Sequence, residues 1–288
     1  MKKITEEKLY RVVAGPLLVI FICVVISVIY LNKSLQDSRI IVATIVEPST
    51  PAVSTTTPTI PKKLYKYIEI IDSCGPYFEE VCVNMRTGHG EQYPVKIKLR
   101  NNVVLRVDDE ITTANGRDWY KIIFAQNLLF PERVEGDLFV AAEFTKSFYD
   151  EGDKYMKDIG PEPITKRIIV DLSEQTLYAY DGDILFMKEA VSTGLKDTPT
   201  DVGNFKVYKK TPSRYMQGPI EGVSDQYYDL PGVPWNLYFT YDGNVIHGAY
   251  WHDNFGKLWS HGCVNLPPEK ARELYKWTPG GTAVIVQE

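Results

Sequence analysis

The sequence predicts a mostly β protein with one main helix, preceded by a single N-terminal transmembrane helix. Short runs that alternate apolar and polar residues recur along the chain, as in half-buried strands. Two Asp-Gly pairs, at 181–182 and 242–243, lie between aromatic and aliphatic runs and are typical of β-hairpins. Aromatic residues make up 12% of the 288 residues, with 19 tyrosines, and such side chains favour strands. At about 150 residues per domain, the length indicates roughly two folded units.

The overall composition is that of a globular protein. Hydrophobic residues contribute 44% and charged residues 24%, which excludes disorder throughout the chain. Thirty-two Lys and Arg against 37 Asp and Glu give a formal net charge of −5. A nucleic-acid-binding protein would carry a basic surplus, so a nucleic-acid partner is not expected.

The first element is an uncharged apolar stretch at residues 12–31. Its length matches a helix that crosses a hydrocarbon core of about 30 Å. The alternative is a cleaved signal peptide, but residues 29–33 offer no small-x-small cleavage site. Cys23 lacks the preceding small residues of a lipoprotein site and is interpreted as an ordinary apolar residue. We therefore expect an uncleaved membrane anchor.

Positive charges on either side of this stretch predict its orientation. The flanking cations are Lys2, Lys3, Lys8 and Arg11 before it, and Lys33 and Arg39 after it. Because the cytoplasmic side carries the excess of Lys and Arg, residues 1–11 are expected to be a cytoplasmic tail. The rest of the chain would lie outside the cytoplasmic membrane, in the periplasm or cell wall, under oxidising conditions.

Residues 32–63 predict a linker. They are rich in proline and threonine and lack apolar periodicity, which is typical of a semi-extended segment that packs against nothing. Such a linker would hold the folded part of the chain away from the membrane.

Residues 64–148 predict a small β-barrel. Alternating runs at 67–71, 103–107 and 119–123 are separated by turns of Gly, Asn and Asp. The run at residues 83–94, VNMRTGHGEQYP, resembles the signature of bacterial SH3-like domains. That resemblance implies a binding module of a kind often attached to cell-wall enzymes. A spacer barrel with no ligand of its own is the alternative.

Two cysteines lie within this predicted barrel. Cys74 and Cys82 are eight positions apart and flank a Gly-Pro-Tyr-Phe segment. In an oxidising compartment we expect a disulfide that closes this loop and ties together the first strands. Two buried free thiols are the alternative.

A charged connector at residues 149–165 leads into the last predicted unit, residues 166–288. Its main elements are a strand at 167–171, a helix that opens at Pro267-Pro268 and ends before 279–281, and a final strand at 283–286. Ala271, Leu274 and Tyr275 share one face of that helix, and its proline start and glycine end are typical helix boundaries.

Three of the four histidines lie within fifteen residues and are followed by a cysteine: His247, His252, His261 and Cys263. Such clustering has two explanations, a metal site and a cysteine nucleophile. Zinc sites usually contain ligand pairs such as Cys-x-x-Cys or His-Glu-x-x-His, and the sequence has neither. We therefore expect no metal and no cofactor.

The nucleophile explanation fits the residues around Cys263. A thiol reacts as its thiolate and needs a base, and His247 ends a predicted strand at 244–247. Gly262 comes directly before the cysteine in Ser-His-Gly-Cys-Val-Asn. Glycine there allows backbone N–H groups to face an incoming carbonyl, as an oxyanion hole requires.

At these residues the chain resembles the bacterial L,D-transpeptidase catalytic domain family, over about 120 residues. The specific part is the motif Ser-His-Gly-Cys-x-Asn at 260–265 with the upstream pair His247-Gly248. Further matching segments are 170–175, 191–194, 198–203, 232–235, 250–256 and 280–284. One departure is Thr200-Asp201, where members commonly have a second proline before the glycine. The resemblance implies a β-sandwich with one main helix.

The resemblance also implies an activity. Members cleave the bond after the diaminoacid of a peptidoglycan tetrapeptide stem, release the terminal D-Ala and hold the acyl group as a thioester. The side-chain amine of a second stem then attacks, which makes a 3→3 cross-link. Cys263 would be the nucleophile, open to a carbapenem adduct, and His247 the base. Supporting roles fall on the residues that orient His247, form the oxyanion hole or brace the turn: Gly248, Ser260, His261, Gly262 and Asn265.

Residues 211–235 form a long run rich in proline, glycine and aromatic residues, and long loops in compact domains are usually functional. We expect a flap over the donor stem, with a self-packed surface loop as the alternative. The candidate substrate contacts are Tyr227, Tyr228, Trp235, Tyr250 and His252.

Two other functions remain open from the sequence. An L,D-carboxypeptidase would use the same Cys263 and His247 but pass the acyl group to water. A wall-binding protein with an inactive catalytic domain is less favoured, because both of these residues are present.

Overall fold

The computed structural model describes residues 62–124, 128–155, 165–221 and 225–288. All of them fall within one compact unit, Pro61–Glu288. The predicted tail, anchor and almost all of the linker lie outside the described residues. Within the described ranges, no helix combines the length and the apolar character needed to cross a membrane. These ranges contain seventeen strands and one α-helix, which confirms the prediction of a mostly β protein with one main helix.

The N-terminal part of the described chain forms a seven-stranded antiparallel sheet. Its strands are β1 (Tyr65–Ile70), β2 (Val83–Arg86), β3 (Val95–Leu99), β4 (Val104–Ala114), β5 (Arg117–Ile122), β6 (Phe139–Ala141) and β7 (Thr145–Asp150). They lie in the order β3-β2-β6-β5-β4-β1-β7. Ile68, Met85 and Leu105 are buried and pack in one core cluster. The SH3-like character of this part stays a prediction.

A disulfide joins Cys74 and Cys82, with their Cα atoms 4.5 Å apart, and closes the loop between β1 and β2. This loop reaches the C-terminal part of the chain. The hydroxyl of Tyr77 donates a hydrogen bond to Asp253 Oδ1 at 2.5 Å. The disulfide therefore fixes a loop that contacts the residue directly after His252.

The C-terminal part consists of two five-stranded sheets and the helix. Its elements are β8 (Lys154–Tyr155), β9 (Lys166–Asp171), β10 (Thr176–Asp181), β11 (Ile184–Ala190), β12 (Gly203–Lys206), β13 (Lys209–Gln217), β14 (Asp229–Tyr238), β15 (Val245–Gly248), β16 (Val264–Leu266), α1 (Pro268–Trp277) and β17 (Ala283–Gln287). One sheet has the order β11-β10-β9-β17-β12, and the other β16-β15-β14-β13-β8. The pairs β9–β17 and β15–β16 are parallel. Both Asp-Gly pairs lie at turns between antiparallel neighbours.

The core of this part lies between the two sheets and the helix. Ile168 and Leu177 from one sheet pack in the same cluster as Leu237 and Ile246 from the other. Leu274 from α1 joins them and is fully buried. Because burial of such side chains is the main favourable term in folding, this shared core fixes the position of β15 and β16.

The prediction of a long loop at residues 211–235 is wrong for most of that range. Residues from β13 and β14 pair in antiparallel register there, with Thr211 opposite Asn236 and Arg214 opposite Val233. Pro212, Pro231, Gly232 and Pro234 are accommodated within the strands, and the ladder shifts register between Arg214 and Met216. The expected loop is therefore largely a hairpin, and its role as a flap over the donor stem stays a prediction.

The two parts of the described chain share buried contacts. Gly232 on β14 has φ +64°, and a Cβ there would collide with the Val104 carbonyl oxygen of β4. The Ser213 hydroxyl donates to that same oxygen at 2.6 Å. Arg272 on α1 forms an ion pair with Glu69 on β1, whose side chain is almost fully buried. These contacts pack the hairpin and the helix directly against the N-terminal sheet.

Candidate active site

The site is built on the parallel pair β15–β16. His247 lies opposite Asn265 in this ladder, and Ile246 lies opposite Val264. Cys263 comes one residue before β16 begins. Because side chains alternate along a strand, Cys263 and Asn265 lie on the same face of the sheet as His247. Cys263 comes two residues before Asn265, which is about 7 Å along the strand direction. The fold thus brings together two residues that are far apart in the sequence.

The turn before Cys263 is held by hydrogen bonds from buried groups. The Ser260 hydroxyl donates to the carbonyl oxygen of Cys263 and accepts from the N–H of Gly262 at 3.2 Å. Gly262 has φ +112°, a conformation that favours glycine. The hydroxyl of Thr200 donates to the Gly262 carbonyl at 2.8 Å and accepts from the N–H of Gly194 at 3.0 Å. The turn is therefore anchored to the segment after β11.

His247 is buried as a neutral imidazole. Its Nδ1 lies 3.1 Å from the carbonyl oxygen of Gly248, so this nitrogen carries the proton and donates. Burial lowers the pKa of His247 from 6.5 to about 3, and the positive charge of Arg214 adds to this effect. Nε2 is buried and has no hydrogen-bond partner among the described residues. A buried lone pair of this kind is available to accept a proton.

Cys263 is partly exposed and has a protonated thiol. Its Sγ donates a weak hydrogen bond to the carbonyl oxygen of Gly243 at 3.7 Å. Burial raises the pKa of the Cys263 thiol, whereas the charge of Arg214 lowers it in part. Cys263 and His247 are therefore both uncharged at neutral pH, as a thiol and an imidazole.

His252 braces the strand that carries Asn265. Nδ1 of His252 accepts a hydrogen bond from the Asn254 N–H at 3.1 Å, and Nε2 lies 2.9 Å from the side-chain amide of Asn265. Burial lowers the pKa of His252 from 6.5 to about 4. Asn265 is held on its other side by paired backbone hydrogen bonds with Ser192, at 2.8 and 3.0 Å. These contacts fix β16, and with it Cys263.

Tyr228 contacts His261, which lies two residues before Cys263 in the chain. Their rings stack with centroids 6.3 Å apart. Burial raises the pKa of Tyr228, and the proximity of Cys263 raises it further. Tyr227, next to it, is 65% exposed, and the guanidinium of Arg133 lies 4.4 Å from its ring. Tyr228 is therefore half-buried beside the turn that carries Cys263, whereas Tyr227 lies on the surface.

Arg214 is a functional candidate that the sequence analysis missed. It lies on β13, with its Cζ 5.5 Å from the ring of Tyr238. Its Nη1 is buried and has no hydrogen-bond partner in the described part of the chain. A lone arginine within a stretch expected to be a loop belongs to no motif, so no sequence signal distinguished it.

The part of the chain that holds this site is similar to a known protein family. Residues 165–286 match the YkuD family model, described as the L,D-transpeptidase catalytic domain. The C-terminal part of the chain carries this domain. The sequence-based recognition of the domain is thereby confirmed, while the anchor and the SH3-like part stay predictions.

Individual proteins are similar to part of the chain. A probable L,D-transpeptidase of Escherichia coli K12, YbiS, is 28% identical over 142 residues, covering 43% of this chain and 45% of its own length. The chain thus spans about half the length of the curated relatives it matches. An Enterococcus faecium L,D-transpeptidase crystal structure is 28% identical with a TM-score of 0.39, over 42% of this chain and 49% of that one. The E. faecium catalytic domain acylated by ertapenem is also 28% identical, with a TM-score of 0.38, over 43% of this chain and 98% of that one.

Two predicted substrate contacts of the L,D-transpeptidase domain are core residues instead. Trp235 is 4% exposed and packs between Phe148 and Tyr275. Tyr250 is 5% exposed, and its hydroxyl donates to the Pro231 carbonyl oxygen at 2.6 Å. His252 is likewise buried with both ring nitrogens engaged, as described above. The local sequence does not show whether an aromatic residue near a motif is buried in the core or exposed at the surface.

One predicted oxyanion donor is also corrected. The N–H of Gly262 donates to Ser260 Oγ, so it does not face an incoming carbonyl in this arrangement. Sequence reasoning placed glycine correctly in the turn but could not tell where its N–H points. The sequence likewise did not predict the role of Thr200, which was noted only as part of a departure from the family pattern. Its hydroxyl links two segments that meet only in the fold.

Proposed function

We propose that this protein is an L,D-transpeptidase that forms 3→3 cross-links in peptidoglycan through an acyl-enzyme on Cys263. The single observation that carries the proposal is the arrangement of His247 on β15 and Cys263 immediately before the parallel neighbour β16, inside a region that matches the family. His247 is neutral and its Nε2 is unpartnered. Because the imidazole is unprotonated at neutral pH, its Nε2 lone pair can accept the proton of the thiol.

The first half-reaction forms the thioester. The thiol of Cys263 turns from the Gly243 carbonyl towards Nε2 of His247, gives up its proton and attacks the carbonyl carbon of the diaminoacid. Burial disfavours a free thiolate, so proton transfer accompanies the attack. The tetrahedral oxyanion is stabilised by backbone N–H groups of Cys263 and His261. The carbon–nitrogen bond then breaks, and His247 returns the proton to the leaving amine of D-Ala.

The second half-reaction transfers the acyl group. The side-chain amine of an acceptor stem attacks the thioester carbonyl and loses a proton to His247, and the thiol of Cys263 is restored. The Gly248 carbonyl keeps the imidazole oriented through both steps, because it accepts the hydrogen bond from Nδ1. No cofactor or metal takes part in this scheme.

The remaining expectations belong to the same proposal. Residues 12–31 would anchor the chain in the cytoplasmic membrane, and the N-terminal sheet would serve as an SH3-like module near the wall. A carbapenem would acylate Cys263, as ertapenem acylates the E. faecium catalytic domain. These expectations rest on the sequence patterns and on similarity to that relative.

The test is incubation of the full-length chain in detergent with a purified tetrapeptide muropeptide, followed by mass spectrometry. A cross-linked dimer is the expected product, and free tripeptide would instead support the L,D-carboxypeptidase alternative. Cys263→Ala serves as the control and should form neither. Absence of both products with folded wild-type protein would contradict the proposal and its alternative.

A further inference from the structure

Arg214 is a half-buried arginine with no ion-pair partner among the described residues. Arg133 pairs with Asp229 at 3.4 Å, and Arg272 pairs with Glu69. No carboxylate of the described residues lies within ion-pair distance of Arg214, although Nη1 is buried. A buried cationic donor without a partner is costly, and a bound anion is one way to satisfy it.

The position of Arg214 is next to the reacting groups. Its positive charge lowers the pKa of both His247 and Cys263, and it acts on Tyr228 as well. The guanidinium lies against the ring of Tyr238, which leaves its unpartnered edge for another group. Because Tyr238 pairs with Val245, two residues before His247, this contact places the guanidinium beside the strand that carries His247.

The chemistry of the donor stem supplies a matching anion. In the proposed reaction, His247 protonates the nitrogen of the leaving D-amino acid. The free carboxylate of that residue is only two bonds from this nitrogen, so it must lie close to both His247 and Cys263. A guanidinium binds a carboxylate through paired charge-assisted hydrogen bonds.

We propose that Arg214 binds the terminal carboxylate of the leaving D-amino acid and so selects donor stems that end one residue after the scissile bond. A stem extended by a further residue would place a neutral amide at Arg214. The other carboxylates of the stem lie several bonds further from the reacting nitrogen. This inference rests on the proposed function and names the subsite that determines its donor specificity.

The test compares two donors that differ at one group, a tetrapeptide with a free terminal carboxylate and the same peptide with a terminal carboxamide. The full-length wild-type chain should favour the carboxylate donor in kcat/KM by about 10- to 100-fold. Arg214→Gln should bring this ratio close to one by lowering kcat/KM for the carboxylate donor. Arg214→Lys should retain part of the preference, because it keeps the charge without the paired geometry.

The ratio of kcat/KM between the carboxylate donor and the carboxamide donor separates an effect on donor binding from an effect on the thiol. Any change in the reactivity of Cys263 affects both donors equally and cancels in the ratio. Arg167→Gln, which removes a guanidinium from the other sheet, is the matched control and should leave the ratio at the wild-type value. A ratio that stays at the wild-type value in Arg214→Gln, or a wild-type chain with no preference, would overturn the inference.

A binding measurement keeps this inference distinct from the proposed function. Cys263→Ala cannot form a thioester, so its affinity for each donor can be measured by calorimetry. Tighter binding of the carboxylate donor that is lost in the Cys263→Ala, Arg214→Gln double variant supports the subsite even if the wild-type chain makes no product. Equal affinity for both donors would refute the subsite whether or not the chain is an active transpeptidase.

Discussion

At the scale of single residues, burial decides the protonation of the candidate catalytic pair. Desolvation raises the pKa of the Cys263 thiol and lowers that of His247, so each is driven towards its neutral form. A preformed thiolate–imidazolium pair would need the opposite shifts. The site is therefore suited to a general-base mechanism, in which the thiol loses its proton only as it attacks.

This arrangement predicts the pH dependence of alkylation at Cys263. Iodoacetamide should react slowly at pH 7 and faster as the pH rises, with a midpoint above the value of about 8.5 for an ordinary thiol. The reason is that only the thiolate reacts, and burial disfavours it. Peptide mapping of Cys263 across pH 6 to 10, with N-acetylcysteine in parallel, makes the measurement. A midpoint at or below that of the free thiol would contradict the assignment.

The sequence identified the candidate catalytic pair but not its surroundings. Cys263 and His247 were found because the motif and the histidine cluster are local patterns. Arg214 was not singled out because it lies on β13, distant in the sequence from His247 and inside a run rich in proline and glycine that predicted a loop. The side chains of Trp235 and Tyr250 were assigned to substrate because burial depends on tertiary packing, which no local pattern encodes.

At the scale of elements, the turn before Cys263 depends on one threonine hydroxyl. Thr200 Oγ1 links the Gly194 N–H to the Gly262 carbonyl within a buried region. Thr198, two residues earlier, offers a contrast, because its hydroxyl oxygen is buried without a partner in the described chain. The two threonines therefore make a matched pair for substitution.

Thr200→Val is expected to lower the free energy of unfolding by about 2 kcal/mol, because it leaves a buried N–H and a buried carbonyl unpaired. Thr198→Val should change it by less than about 0.5 kcal/mol. Urea denaturation of both variants gives the comparison. Equal effects of the two substitutions would argue against a bracing role for Thr200.

Helix α1 and the strands show how far local patterns predict this fold. The helix was predicted within a residue or two of its bounds, because prolines mark its start and glycines follow its end. The β13–β14 hairpin was not, since its strands contain prolines and its ladder has a register shift. Pairing with neighbouring strands overrides these local signals, and that pairing is set by the rest of the fold.

At the scale of the whole molecule, the described N-terminal sheet and the L,D-transpeptidase domain are packed as one compact unit. Glu69 of β1 is 4% exposed and pairs with Arg272 of α1. A buried carboxylate that loses its partner is strongly destabilising, whereas an exposed ion pair contributes little. This ion pair therefore couples the stability of the two parts.

Arg272→Met is expected to lower the free energy of unfolding by about 3 kcal/mol, because Glu69 would remain buried without its partner. Lys121→Met, which removes an exposed partner of Asp137, is the control and should cost less than about 1 kcal/mol. Chemical denaturation followed by tryptophan fluorescence measures both. A cost for Arg272→Met no larger than that of the control would show that the pair does not couple the two parts.

The most direct test of the account is the detection of the acyl-enzyme itself. The full-length protein is mixed with a tetrapeptide donor in the absence of an acceptor, quenched in acid and digested for mass spectrometry. We expect the tripeptide acyl group on the peptide that contains Cys263, and no such peptide from Cys263→Ala. An acyl group on any other residue, or one that persists in Cys263→Ala, would contradict a mechanism through this cysteine.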